Sequence, residues 1–340
     1  MGARDRLKDY FAIRNGERWA RYLISRTVPA GVELSALEDD LWKAHTKALD
    51  HARERAMEKN PSLVPIKANL MDLKAELARR ILRACRMCER ACGVDRIVGM
   101  SGVCGVKEPR LSSEFLHLGE ESELIPSHTF FFSGCTFKCV YCQNQDISQD
   151  PEEGVPKSPD EVATIISASG GVNVNWVGGD PNPQLQFIME VLRRLDTNIS
   201  QVWNSNMYAS KEAMALLDGA MDLYLADFKY GNDACAKRLS GIDRYMEVVG
   251  RNHIEASRQC EMIIRHLVLP GHIECCSIPV LDWIAKNLDL SRVRVNVMDQ
   301  YRPTYKVPGN AAFKDIARPL SHKEFLRAYH HAESLGLDLC

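Results

Sequence analysis

Cys135, Cys139 and Cys142 stand close together just after the apolar run Phe130-Phe131-Phe132. Thiolates so spaced converge on one centre, which fixes how the chain leaves the strand before them. Three thiolates can hold three irons of a cubane iron-sulfur cluster, and because a full set would be four, one iron is left free to bind something else. The same triplet could supply three of the four ligands of a structural zinc whose fourth ligand, a His, lies elsewhere. Context favours the cubane: further site-like segments follow in order along the chain, which a zinc knuckle does not require.

The Cys-x3-Cys-x2-Cys pattern, with Tyr141 directly before the last Cys, resembles the signature of the radical S-adenosylmethionine (SAM) superfamily. The resemblance implies a 4Fe-4S cluster whose open iron binds the amino and carboxylate groups of SAM. In that family an electron from the cluster breaks the sulfur-carbon bond, and the 5′-deoxyadenosyl radical removes a hydrogen from the substrate. The protein positions and shields this chemistry. Val177-Gly178-Gly179-Asp180-Pro181 resembles the family's Gly-Gly-Glu motif for the amino group of SAM. Glycines permit a close backbone approach and a carboxylate suits an ammonium, although Asp is one methylene shorter and shifts recognition toward backbone carbonyls.

Leu225-Ala226-Asp227-Phe228-Lys229-Tyr230 resembles the Asp-x-Lys segment of the activating enzymes of glycyl radical enzymes. Strand alternation puts Asp227 and Lys229 on one face, where they can hold the methionine carboxylate and the ribose hydroxyls of SAM. Asn204, Ser205 and Asn206 end a strand and suit the sulfonium end or the ribose. His266 and His272 flank another strand, with His272 expected to face the site, and Gln300 and Tyr301 close the last one. From about residue 85 to 310 the chain resembles the pyruvate formate-lyase activating enzyme-like branch, an oxidoreductase-type group. That resemblance implies a protein or peptide substrate and an electron donor such as ferredoxin or flavodoxin. The activating enzymes carry a His near the last strand that Val297-Met298-Asp299-Gln300-Tyr301 lacks, a departure that counts against glycyl-radical activation itself.

A second cluster, Cys85, Cys88, Cys92 and Cys104, offers four thiolates and is coordinatively full. It reads as a structural zinc or an auxiliary iron-sulfur cluster, with Arg86, Arg90 and Arg96 near enough to balance its charge. The remaining thiols, Cys235, Cys260, Cys275, Cys276 and Cys340, show no ligand spacing and read as core or surface thiols, Cys275-Cys276 being the one pair expected near the site. Twelve cysteines without an apolar leader fit a reducing, cytoplasmic setting, where clustered Cys more often bind metal than form disulfides.

No run of about 18 apolar residues argues for a membrane span. With 43 Lys and Arg against 45 Asp and Glu, the net charge of -2 gives no pull toward nucleic acid. Short apolar runs at Thr129–Phe132, Val172–Val177, Gln201–Asn204, Met221–Asp227, Met262–Leu269 and Val293–Met298 alternate with helical segments. That alternation predicts a parallel sheet with right-handed crossovers, two units short of a closed eightfold barrel: an α/β partial (β/α)6 barrel. In such a barrel, chemistry belongs at the C-terminal ends of the strands. The expected organisation is a helical arm over 1–80, a four-Cys metal-binding segment over 81–125, the barrel over 126–310 and a C-terminal helix over 311–340. The competing reading is a non-catalytic iron-sulfur or zinc protein that carries electrons or docks a partner.

Overall fold

The computed structural model describes residues 2–58 and 61–340. Six parallel strands lie side by side in chain order: β2 (Ser127–Phe132), β3 (Asn173–Gly178), β4 (Ser200–Ser205), β5 (Leu223–Asp227), β6 (Glu261–Leu267) and β7 (Val293–Met298). These are the six expected runs, shifted by a residue or two at their ends. A further strand, β1 (Leu111–His117), pairs antiparallel with β2 at one edge and was not expected. Its only buried residue is Leu111, so it carries no apolar alternation to read. Its place comes from the ladder to β2 and from Phe115 stacking on Phe131, ring centroids 5.4 Å apart.

Alternation sorts each strand into two faces. On β3, Trp176 packs outward with Phe130 and Phe132 of β2, while Asn173, Asn175 and Val177 point into the barrel. Helices cover the outer face: α4 (Glu38–Ala56), α5 (Leu70–Arg83), α7 (Pro159–Ser167), α8 (Leu185–Leu192), α9 (Lys211–Leu217), α10 (Asp233–Ser240), α11 (Tyr245–Gln259) and α12 (Ile278–Asn287). Ser158 caps α7 as its sequence predicts, accepting from the Glu161 N–H at 3.2 Å while the Glu161 carboxylate accepts from the Ser158 N–H at 2.7 Å. The short helix α6 (Gln145–Ser148) closes the cysteine loop, and α13 (His322–Ser334) packs against α12.

The first helices, α1 (Ala3–Arg6), α2 (Lys8–Arg14) and α3 (Arg21–Ser25), do not stand off as a peripheral arm. Leu7 and Tyr10 are fully buried with Leu124, Val202, Leu223, Leu225 and Ile263, sealing the end of the barrel where the strands begin. The N–H groups of Asp9 and Tyr10, which a helix start leaves without partners, donate to the Glu261 carboxylate at 2.8 and 2.9 Å. The Tyr10 hydroxyl accepts from Asn173 Nδ2 at 2.9 Å and donates to the Glu123 carbonyl at 3.2 Å. A barrel open at its base would expose these apolar strand ends to water, so burial makes the segment part of the core.

β7 and β1 do not pair, which leaves a seam in the barrel wall. The connection between β1 and β2 spans it. Glu120 and Glu121 pair with Arg265 of β6, Asn296 of β7 donates to Glu121 at 2.8 Å, and Glu123 pairs with Arg294. Among the described residues no helix is long and apolar enough to cross a membrane.

Candidate active site

At the C-terminal ends of the strands the barrel opens into a cavity of about 410 Å³, and Cys135, Cys139 and Cys142 all line it. The cysteine loop is fixed from outside by backbone bonds to the end of α10, Lys138 N–H to the Ser240 carbonyl at 3.0 Å and Val140 N–H to the Leu239 carbonyl at 2.9 Å. Each sulfur has a donor beside it: the Phe137 N–H lies 3.3 Å from Cys135, Ser240 Oγ 3.0 Å from Cys139 and Ser148 Oγ 3.1 Å from Cys142. Burial pushes the Cys139 thiol up to about 11, with repulsion from Cys142 adding to it. Cys135 rises well above its ordinary range through burial, Asp180 and Cys139. Such thiols become thiolates when a cationic centre supplies the missing charge.

The donor set fits a 4Fe-4S cluster: among the described residues three thiols and no fourth Cys line the cavity, and each sulfur meets an N–H or O–H of the kind that tunes such clusters.

Gly178 and Gly179 bring the end of β3 against this loop. A Cβ on Gly178, whose φ is +122°, would lie 2.1 Å from the Phe132 carbonyl oxygen, and one on Gly179 would lie 2.3 Å from that of Gly134. Only glycine allows this approach. Both glycines line the cavity, whereas Asp180 does not. Its buried carboxylate turns behind the wall, accepting from Thr136 Oγ1 at 3.1 Å, Ser205 Oγ at 3.0 Å and the Asn206 N–H at 3.4 Å. Burial raises it to about 6 although these donors oppose the shift. Asp180 therefore braces the loop from behind, and the backbone of the glycines is what this segment presents to a ligand.

Asp227 and Lys229 reach the cavity from the end of β5 and form an ion pair there. Asn204 lines it from the end of β4 and Asn206 from just beyond it, Asn206 also donating to Thr136 Oγ1 at 2.8 Å. Tyr141 heads a buried relay: its hydroxyl meets that of Tyr230 at 2.6 Å, and Tyr230 meets Ser240 Oγ at 2.5 Å, beside Cys139. Gln300 lines the cavity, and Tyr301 packs edge-on to Tyr141.

The seam residues were not anticipated. Glu120, Glu121, Arg265, Asn296 and Met298 all face the cavity, and Glu121 and Arg265 are held by two bonds at 2.6 and 2.8 Å. One signal was available: Arg265 places a permanent charge in the mostly apolar run Met262–Leu269, and a charge in a buried strand calls for a partner.

Neither histidine of β6 and its loop reaches the cavity. His266 is buried between the Phe228 carbonyl and Ser277 Oγ, at 2.7 and 2.8 Å. His272, expected at the mouth, instead meets Cys235, Cys275 and Cys276. The second cysteine cluster does come together: Cys85, Cys88, Cys92 and Cys104 line one small gap with Arg90, Arg96 and Thr136. The Arg90 side chain donates from Nε to the Thr136 carbonyl at 3.0 Å, while its buried Nη2 has no partner among the described residues. An unpartnered guanidinium N–H beside four thiols fits an anionic metal-thiolate centre. Thr136 follows Cys135 directly, so a single peptide separates the two cysteine sites.

A family model described as the Radical SAM superfamily matches residues 129–284, a stretch that runs from β2 into α12 and contains the cysteine loop and the ends of β3 to β6. An uncharacterized protein of Methanocaldococcus jannaschii is 44% identical over 98% of this chain and 99% of its own length. The pyruvate formate-lyase 1-activating enzyme of Escherichia coli is 28% identical, the match covering 42% of this chain and 60% of that enzyme. The solved structure of methylornithine synthase aligns with a TM-score of 0.45 at 12% identity, covering 97% of this chain and 78% of that one. With its cysteine loop at the mouth of a partial (β/α)6 barrel, the chain belongs to the radical SAM superfamily.

Proposed function

We propose that this chain is an enzyme that cleaves SAM reductively and abstracts hydrogen from a protein or peptide substrate. The observation that carries the reading is the convergence of Cys135, Cys139 and Cys142 with Gly178, Gly179, Asn204, Asp227 and Lys229 on one cavity. Cys135, Cys139 and Cys142 would hold a 4Fe-4S cluster, which when loaded would supply the electron for reductive cleavage of SAM to a 5′-deoxyadenosyl radical. Lys229 suits the carboxylate of SAM, Asp227 suits its amino group or ribose hydroxyls, and the backbone of Gly178 and Gly179 admits a ligand at close range. Phe131, Phe137, Val177, Leu267 and Met298 keep water from the reacting centre. The seam set of Glu120, Glu121, Arg265 and Asn296 faces the same space and offers polar contacts to a peptide backbone. A macromolecular substrate is supported by the relationship to the pyruvate formate-lyase 1-activating enzyme.

In this reading residues 126–310 form the catalytic unit and 81–125 a second metal segment. There Cys85, Cys88, Cys92 and Cys104 would hold zinc or an auxiliary iron-sulfur cluster. With iron-sulfur there, the Cys135-Thr136 peptide would offer a short path for electrons arriving from a ferredoxin or flavodoxin; with zinc, which is redox-inert, the segment would be structural.

The test is anaerobic reconstitution, reduction with dithionite and incubation with SAM, with 5′-deoxyadenosine, iron, sulfide and zinc quantified for wild type and Cys139→Ala. Deoxyadenosine from wild type alone is the expected result, and metal retained in the variant names the second site. Deoxyadenosine from the variant would sink the assignment. None from a wild type with an intact cluster, even with cell extract added, would favour the electron-carrier or scaffold reading.

A further inference from the structure

Outside both cysteine sites, Cys235, His272, Cys275 and Cys276 place one donor atom each within 4.8 Å of one another. Cys235 lies in the first turn of α10, while the other three sit on the single π-helical turn Ile273–Ser277 and the residue before it. Around His272 Nδ1 the sulfurs of Cys275, Cys235 and Cys276 lie at 3.3, 3.5 and 3.8 Å. The sulfur of Cys275 is 4.0 Å from that of Cys235 and 3.9 Å from that of Cys276.

A tetrahedral zinc with bonds of about 2.3 Å to sulfur and about 2.0 Å to nitrogen sets sulfurs about 3.8 Å apart and sulfur to nitrogen about 3.5 Å. The observed spacings match. A second observation is independent of the sulfurs: His272 Nε2 meets Asp315 Oδ2 at 2.9 Å, and Asp315 is itself paired with Arg238. Arg238 Nη2 also lies 3.2 Å from Nε2, and with Nε2 protonated toward the carboxylate the Nδ1 lone pair would face the three thiols, the carboxylate-histidine arrangement that orients imidazole ligands of metals.

We propose that Cys235, His272, Cys275 and Cys276 form a closed structural zinc site. Binding releases three protons as three thiols become thiolates, the imidazole stays neutral, and the centre carries one net negative charge with Arg238 close by. The site joins α10 to the loop after β6. A contact already supports that junction, since Asn232 Nδ2 donates to the Cys275 carbonyl at 2.8 Å, and a Cβ on Gly231 would lie 2.7 Å from the same oxygen. Because the far end of α10 holds the cysteine loop through Leu239 and Ser240, the zinc anchors the helix against which that loop is built.

The experiment compares metal content of the full chain, purified anaerobically from zinc-containing medium, with Cys275→Ser and Asp315→Asn. Cys275 is solvent-exposed, so its serine variant keeps the core intact. Expected are one equivalent of zinc fewer in Cys275→Ser, iron unchanged, and zinc held about 10- to 100-fold more weakly in Asp315→Asn. Equal zinc in wild type and Cys275→Ser overturns the proposal. Wild type alone gives a second reading by alkylation with iodoacetamide and peptide mapping: Cys275 should be protected until a chelator is added. Modification of Cys275 from the outset, or an intact mass showing a disulfide between two of these cysteines, would also overturn it. None of these readouts depends on SAM cleavage.

Discussion

The two ends of the barrel are built to opposite rules. At the floor, Leu7 and Tyr10 at the start of α2 enter an apolar layer, and the Asp9 and Tyr10 N–H groups and the Tyr10 hydroxyl all find partners. At the mouth, thiols, carboxylates, amides and two cations face a cavity of about 410 Å³. The floor gives up chemistry for stability and the mouth does the reverse, the division expected when strand-to-helix loops carry the site.

Removing residues 2–14 should break the comparison most severely. It deletes two fully buried side chains and leaves Glu261 without its donors, a loss on the order of the whole stability of a domain. Circular dichroism melts should lose their cooperative transition, and a truncated chain that melts like wild type would show the floor to be dispensable. Tyr10→Ala is the milder form, with an expected loss of about 3–5 kcal/mol by denaturant titration. Cys139→Ala, at the other end, should abolish deoxyadenosine formation while moving Tm by no more than a few degrees.

The two ends should also answer pH in opposite senses. At the mouth, burial works to raise the Glu121 carboxyl, but the hydrogen bonds and charge of Arg265 and the Asn296 bond outweigh it and hold it below 4.5. That stabilisation is full above about pH 4.5 and fades as pH falls through the lowered value. At the floor, burial raises Glu261 above 4.5 against the donors from Tyr10 and Asp9, so the folded state binds its proton first and stability declines as pH rises through that window. Glu121→Gln should therefore cost on the order of 3 kcal/mol at neutral pH, with the deficit shrinking below pH 4.5. The deficit of Glu261→Gln should instead grow as pH falls. Denaturation curves from about pH 2.5 to 8 decide it, and parallel pH profiles for the two variants would erase the distinction.

The smallest effect is expected at Lys229. Lys229→Met removes one cation from the cavity and should weaken SAM binding about tenfold, or about 1.4 kcal/mol, by equilibrium dialysis, with the melting curve unchanged. Unchanged SAM affinity would remove Lys229 from the site.

Much of the sheet could be read from the sequence because β2 to β7 are buried strands whose apolar runs are interrupted by capped helices. β1 could not, since an edge strand with six of its seven residues outside the core leaves no alternation. Helical periodicity in the first residues was legible, but the partner of an apolar stripe is not written in the stripe, so Leu7 and Tyr10 gave no sign that they would seal a barrel. The cysteine loop, the glycine pair and Asp227-x-Lys229 could be picked out because they resemble motifs of a known family and follow the ends of apolar runs, and all three line the cavity. Asp180 was placed on the right segment and the wrong side of it, since one peptide's rotation decides which way a carboxylate faces. Cys235 lay far from His272, Cys275 and Cys276 in sequence, and only the packing of α10 on the loop after β6 brings them together.

The seam has a consequence for how such a chain can change. The cysteine loop is locked from behind by backbone contacts at Gly178 and Gly179 that tolerate no side chain. The segment carrying Glu120 and Glu121, by contrast, is a single connection laid across a gap between unpaired strands. A lineage could rewrite that connection, together with Arg265, and reshape what the cavity admits while the half that holds the cysteine loop stayed the same. Divergence among close relatives should accordingly concentrate in the strip between β1 and β2.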